Sequence, residues 1–153
     1  MIWYRIDNRL VHGQIIEAWL PYTRATKLVV ANDEFAVEPL RQQIILLAVP
    51  SRIHSEFVRV AELKALVDSY RQKNDEALIL FANCADARAA LEAGISMEVC
   101  NIGNLHYAPD KRQICQHIAL SIEDENCLRY LESRGVELDF RSIPADNPQV
   151  KDW

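Results

Sequence analysis

Apolar runs of strand length alternate along this chain with longer amphipathic stretches. The short runs are Met1 to Ile6, Lys27 to Asn32, Glu56 to Val60, Ala77 to Ala82, Met97 to Ile102, His117 to Ser121 and Val136 to Ser142. Their aliphatic, β-branched and aromatic content predicts strands. The stretches between them, Gly13 to Tyr22, Glu34 to Val49, Ala61 to Lys73, Ala85 to Ala93 and Ile122 to Arg134, predict helices. Such alternation points to an α/β fold, a mostly parallel, open twisted sheet with helices on both faces. Punctuation agrees: Ser121 with Asp124 reads as a capping pair opening the last helix, and Gly135 stands where a left-handed residue would close it. Pro50 and Gly94 end two further helices. Ile15, Ile16, Trp19 and Leu20, like Leu40, Ile44 and Leu47, are expected in the core. The tail from Pro144 to Trp153 is polar and proline-bearing and is expected to be irregular. No repeat, linker or low-complexity tract divides the chain, so residues 1–153 read as one domain.

Composition narrows the function. The chain has 153 residues, 17 Lys and Arg against 22 Asp and Glu, and a net charge of −5. This is not the basic footprint of a nucleic-acid binder, so no nucleic-acid partner is expected. No run approaches the roughly 18 to 20 apolar residues of a bilayer span. The opening MIWYRIDNR lacks the order of a signal peptide. A cytoplasmic location with no direct membrane span is therefore expected. Cys84, Cys100, Cys115 and Cys127 are widely spaced, with no C-x-x-C pair and no histidine at ligand spacing. They predict small buried thiols rather than disulfides or a metal centre, and neither metal nor cofactor is expected.

The chemistry concentrates in RIDNRLVHGQ, Arg5 to Gln14. In a parallel α/β fold, ligands sit beyond the carboxyl ends of the strands, which is where this stretch falls after the first strand. The start of the following helix favours an anion, and the guanidinium forks of Arg5 and Arg9 match phosphate oxygens. An imidazole, largely neutral near neutral pH, can attack phosphorus and hold the phosphoryl group as a labile phosphoramidate. His12 is thus the candidate nucleophile, with Asp7 fixing its tautomer or pairing with an arginine. Asn8, Leu10, Val11, Gly13 and Gln14 complete the candidate loop. The residues alone also permit an ordinary solvated turn with a helix-capping histidine.

Here a resemblance enters. RIDNRLVHGQ followed by Trp19 resembles the phosphorylation loop of the enzyme IIB component of the mannose-fructose-sorbose family of the phosphoenolpyruvate-dependent sugar phosphotransferase system, commonly R-(I/V)-D-D-R-L-I-H-G-Q. NIGNLHY, Asn101 to Tyr107, is similar to the family's N-(I/V)-G-G-M-H-(Y/F). VVANDEFA and ESRGVELDFRSIPAD resemble family stretches after the second strand and at the C-terminal strand. The likeness runs in order over nearly the whole chain.

It implies a phosphotransferase without metal or cofactor. His12 takes a phosphoryl group from a histidine of the IIA component and passes it to a sugar held by the membrane components IIC and IID, on which sugar choice largely depends. Arg9 matches the family's phosphate-binding arginine, Arg5 the earlier arginine at the strand end, and the backbone around His12, Gly13 and Gln14 completes the cradle. Two positions depart from the commonest pattern: Asn8, where the second Asp is frequent, and Asn104, where the second Gly is usual. Asp33, Asn104 and His106 are candidates for the rim or a partner contact; Asp33 could instead orient Arg5 or Arg9 or serve a helix N-terminus, and His106 could instead pack or cap within its loop. The alternatives are a regulatory protein that senses phosphorylation without transport, and a free-standing histidine phosphatase or phosphomutase. The last needs a general acid for the leaving group, and the loop offers only Asp7.

Overall fold

A computed structural model of the chain describes residues 1–147 and Trp153. Six strands, β1 (Ile2–Asp7), β2 (Lys27–Ala31), β3 (His54–Val58), β4 (Ala77–Phe81), β5 (Val99–Asn104) and β8 (Glu137–Asp139), form one sheet in the order β3-β2-β4-β1-β5-β8. Every pairing in it is parallel. Strand β4, ALILF, is buried at all five positions, as a central strand must be when helices cover both faces.

The period of two sorts the sheet's side chains into two cores. Tyr4, Ile6, Val29, Ile79 and Phe81 face helices α3 (Val60–Lys73), α4 (Cys84–Glu92) and α5 (Ile122–Ser133). Leu28, Val30, Leu78 and Leu80 face the opposite side, with Leu10, Ile15, Trp19 and Leu20 against them. The chain therefore leaves β1 toward one face and β5 toward the other, and the carboxyl ends of these neighbouring strands flank a crevice. The capping pair is present: Ser121 Oγ accepts from Asp124 N at 3.0 Å, and Ser121 N donates to Asp124 Oδ2 at 3.0 Å. Gly135 has φ +87° and Gly94 φ +96°.

Several elements differ from the sequence reading. The first helix is a π-helical turn, Ile15–Trp19, running into α1 (Leu20–Thr23). Pro21 explains this, because a proline has no N–H to give the carbonyl four residues back and its ring clashes with that carbonyl. The predicted helix over 34–49 is split at Glu38 (φ −115°, ψ 80°) into a 3₁₀ turn, Phe35–Val37, and α2 (Pro39–Ala48). Proline disfavours helical geometry in the residue before it and is well suited to the first helical position.

Helix α2 also corrects the expected core. It has no buried residue; Leu47 is 88% exposed, Leu40 71%, and Ile44 is exposed too. Ile15, Trp19 and Leu20 are buried and Ile16 is half-buried. The run His117 to Ser121 does not join the sheet. Its β7 (Ile118–Leu120) pairs antiparallel with β6 (Arg112–Cys115), a strand the sequence reading lacks. The irregular tail is bends and turns as far as Asn147, and residues 148–152 lie outside the described residues. The thiols are free, Cys84 and Cys100 buried, Cys115 and Cys127 half-buried. No helix among the described residues is long and apolar enough to cross a membrane.

Candidate functional site

Strand β1 delivers the site by alternation. Arg5 and Asp7 are two residues apart and so share a face, the one carrying Trp19, while Tyr4 and Ile6 point into the other core. Asp7 lies at the strand's carboxyl end, wholly buried, and the loop folds back over it. Its Oδ2 accepts from Arg5 Nη2 at 2.8 Å and Arg9 Nη2 at 3.3 Å and lies 2.8 Å from His12 Nε2. Its Oδ1 accepts from Arg9 N at 3.0 Å and Arg9 Nε at 3.2 Å. Burial alone would raise the Asp7 pKa. The hydrogen bond from His12, the charge of Arg5 and the hydrogen bonds from Arg9 outweigh it and hold the carboxyl well below the usual carboxylate range.

An ionised carboxylate only accepts, so His12 Nε2 carries the proton and donates it. The other ring nitrogen, Nδ1, keeps its lone pair. His12 is partly exposed at 17% of its side chain. Arg9 is more open, and its Nη2 also donates to Gln14 Oε1 at 3.0 Å. Gln14 Oε1 in turn accepts from Ser142 Oγ at 3.4 Å. Leu10 makes the turn with φ +56°, its N donating to Asp7 O at 2.9 Å and its side chain buried. Val11 packs half-buried against the same core, and Gly13 is open, with no atom within 4 Å of where a Cβ would stand. His12 O accepts from Ile15 N at 3.0 Å and Ile16 N at 3.2 Å.

Arg5 is where the structure corrects the phosphate-fork expectation. Its side chain is fully buried, with Nη1 on Asn101 Oδ1, Nη2 on Asp7 and the guanidinium carbon 4.9 Å from the Trp19 ring centroid. A group with no exposure cannot meet an incoming phosphate; it meets Asp7 instead. Burial lowers its pKa and the Asp7 charge opposes that. Asp33 takes the helix N-terminal role among those expected of it, although at α3 rather than at the segment that follows it. Its Oδ1 accepts from Val60 N at 2.9 Å, at the first residue of α3, and touches neither arginine.

Three residues outside the sequence reading of the site hold Arg5 in place. Asn101 stands opposite Arg5 in the sheet register, and its Nδ2 donates to Asp139 O at 3.0 Å and Arg141 O at 2.9 Å. The β1–β5 register then slips, so that Ile6 faces Ile102 but Asp7 faces Asn104. Gly103 is the extra residue, and a Cβ there would lie 1.8 Å from the Arg5 guanidinium carbon. Trp19 closes the other side, its Nε1 donating to Ser142 O at 2.9 Å. Only the alternation of Arg5 with Asp7 was readable in advance; the opposing residues require the strand pairing. Asn8 and Asn104 meet across the crevice, with Asn104 Nδ2 donating to Asn8 Oδ1 at 2.7 Å. His106 lies beyond them, exposed.

The assembled residues form a buried carboxylate that gathers two arginines and one histidine, and among the described residues the second imidazole nitrogen has no hydrogen-bond partner. Comparisons with known proteins give the chain its relatives. Residues 1–152 match the family model described as PTS system sorbose subfamily IIB component. The fructose-specific EIIB component of Bacillus subtilis (strain 168) is 30% identical over 142 residues, covering 93% of this chain and 87% of that protein. The mannose-specific EIIAB component of Escherichia coli (strain K12) is 26% identical over 96% of this chain, which spans 45% of that longer protein. Among solved structures, the N-acetylgalactosamine-specific IIB component 1 from Escherichia coli superposes with TM-score 0.91 at 26% identity, covering 99% of this chain and 100% of that one.

Proposed function

The chain belongs to the sorbose-subfamily IIB components of the sugar phosphotransferase system, and from that premise we propose that His12 is its phosphorylated residue, with Nδ1 as the attacking nitrogen. Components of this family are phosphotransferases: they accept a phosphoryl group from a IIA component and transfer it to sugar. The observation that carries the assignment is the 2.8 Å contact of His12 Nε2 with Asp7, which leaves Nδ1 as the free nucleophile.

In the first transfer, the Nδ1 lone pair forms a bond to phosphorus while the phosphorus–nitrogen bond of the donor histidine breaks, its electron pair returning to the donor ring. The His12 ring becomes cationic as the P–N bond forms, and Asp7, already ionised and hydrogen-bonded to Nε2–H, offsets that charge. In the second transfer a sugar hydroxyl attacks the same phosphorus, the P–N electron pair returns to Nδ1, and the hydroxyl proton passes to the phosphate of the product and on to water. Such loose transition states ask mainly for positioning and charge compensation. Arg9 supplies the latter: among the described residues its Nη1 has no hydrogen-bond partner, while Nε and Nη2 anchor it to Asp7 and Gln14. The backbone at Gly13 and Gln14 completes the phosphate cradle, with Leu10 and Val11 fastening the loop to the core beneath it.

Arg5 acts through Asp7, as a positioning residue. The acceptor sugar is held by membrane components IIC and IID, and the domain works at the cytoplasmic face of that assembly. The test is intact-mass measurement of the wild type and of His12→Ala after incubation with phosphoenolpyruvate, the general phosphotransferase proteins and a IIA component. One acid-labile phosphate on the wild type and none on the variant is the expected result. No adduct from a demonstrably phosphorylated IIA would overturn it and bring forward a regulatory role.

A further inference from the structure

We propose that Asn8, Asn104 and His106 form a clasp that positions the His12 loop for transfer and turns His106 outward as an N–H donor toward the docked IIA component. The inference rests on the assignment of His12 above. A primary amide has two N–H donors. One from Asn104 reaches Asn8 Oδ1 at 2.7 Å, and the same nitrogen lies 3.2 Å from His106 Nδ1. Donation to both makes His106 Nδ1 an acceptor, so the His106 proton sits on Nε2, away from Asn104. His106 is exposed, at the carboxyl end of the sheet from which His12 is also approached.

The main chain doubles the link, for Asn8 N donates to Asn104 O at 3.2 Å. Residue 8 is therefore tied to β5 twice, at the crevice where β1 and β5 lead the chain to opposite faces. Two residues later Leu10 holds φ +56°, a conformation that a side chain of its size adopts only where its surroundings over-determine it. The surroundings here are the buried Leu10 side chain on one side and the fixed Asp7–Asn8 segment on the other. This left-handed turn sends the chain back so that His12 reaches Asp7. Loosening Asn8 releases one end of the strained turn.

The clasp also joins the two motif departures to one another. Aspartate at position 8 with glycine at position 104, the commonest pattern, would have no side chain at 104 to make it. The device thus depends on the two asparagines this chain carries.

The experiment follows phosphoryl transfer from a phosphorylated IIA component to the wild type and to Asn8→Ala, Asn104→Ala, the double variant, Asn8→Asp and His106→Ala, with circular dichroism to confirm folding. Each alanine at 8 or 104 is expected to slow transfer at saturating IIA about fivefold, the size of one net hydrogen bond. The double variant should be no slower than either single one, because both remove the same contact. Asn8→Asp keeps the acceptor and should stay within about twofold of wild type. His106→Ala should raise the IIA concentration for half-maximal rate. Imidazole ¹⁵N NMR should show His106 protonated at Nε2 in the wild type and a tautomer mixture in Asn104→Ala. Unchanged rates in the single variants, additive losses in the double one, or a proton on His106 Nδ1 would each sink the clasp. If the wild type itself takes no phosphoryl group, the His12 assignment fails, and the NMR still decides the clasp.

Discussion

Asp7 Oδ2 and His12 Nε2 stand 2.8 Å apart, and the carboxylate is wholly buried beneath the ring. One contact fixes three properties of this imidazole: which nitrogen holds the proton, which one has no hydrogen-bond partner among the described residues, and which way the ring faces.

The phosphohistidine formed on this protein should accordingly be the Nδ1-linked isomer. Phosphorus and nitrogen NMR of the phosphorylated protein distinguish the two isomers. An Nε2-linked product would mean that the ring turns over before reacting and that Asp7 does not orient it.

Asp7→Asn should cost about 3 kcal/mol of stability near neutral pH, because it leaves the Arg5 charge buried without its counter-ion. The pH dependence has a definite sign. The folded carboxyl is held below its unfolded value of about 3.9, so its stabilisation is fully present above that pH and declines as pH falls toward the folded value. Urea unfolding of both proteins at neutral pH and near pH 3 should show the gap narrowing in acid. A gap that widens in acid would contradict the ion pairing.

Gly103→Ala should unfold the protein or cost more than about 3 kcal/mol. A methyl group would stand 2.0 and 2.3 Å from the two terminal nitrogens of Arg5. A free arginine would swing aside. This one is sealed under Trp19 and bonded to Asn101 and Asp7, so it has nowhere to go. Thermal melting that matches the wild type would show that the guanidinium moves after all.

Leu47→Ser, on the exposed face of α2, should change stability by less than about 0.5 kcal/mol. Leu63→Ala, fully buried in α3, should cost about 2 to 5 kcal/mol. Equal losses in denaturant titrations of the two variants would mean that α2 is packed in solution.

The sheet and most helices were legible because burial imposes a period on side chains, and a run such as ALILF at 77–81 has nowhere to sit except the middle of a covered sheet. Helix α2 misled for the same reason read backwards: Leu40, Ile44 and Leu47 repeat at helical spacing, and periodicity reports which residues share a face without saying what covers it. Strand β6 is short and has no fully buried residue, so it leaves little apolar trace. In the site, the Arg5–Asp7 alternation was present in the sequence, but the burial of Arg5 depends on Asn101 and Gly103. These are reached only through the β1–β5 register and its slip. Asp33 shows the same limit, since its partner Val60 begins a helix that lies one strand further along the chain.

The register slip at Gly103 has a consequence for heredity. A side chain at position 103 is barred while Arg5 is present, and the loss of Arg5 takes from Asp7 its wholly buried counter-ion and from Asn101 Oδ1 its donor. A first change at any of these four codons disturbs the same buried cluster, so distant segments of the gene are coupled through it.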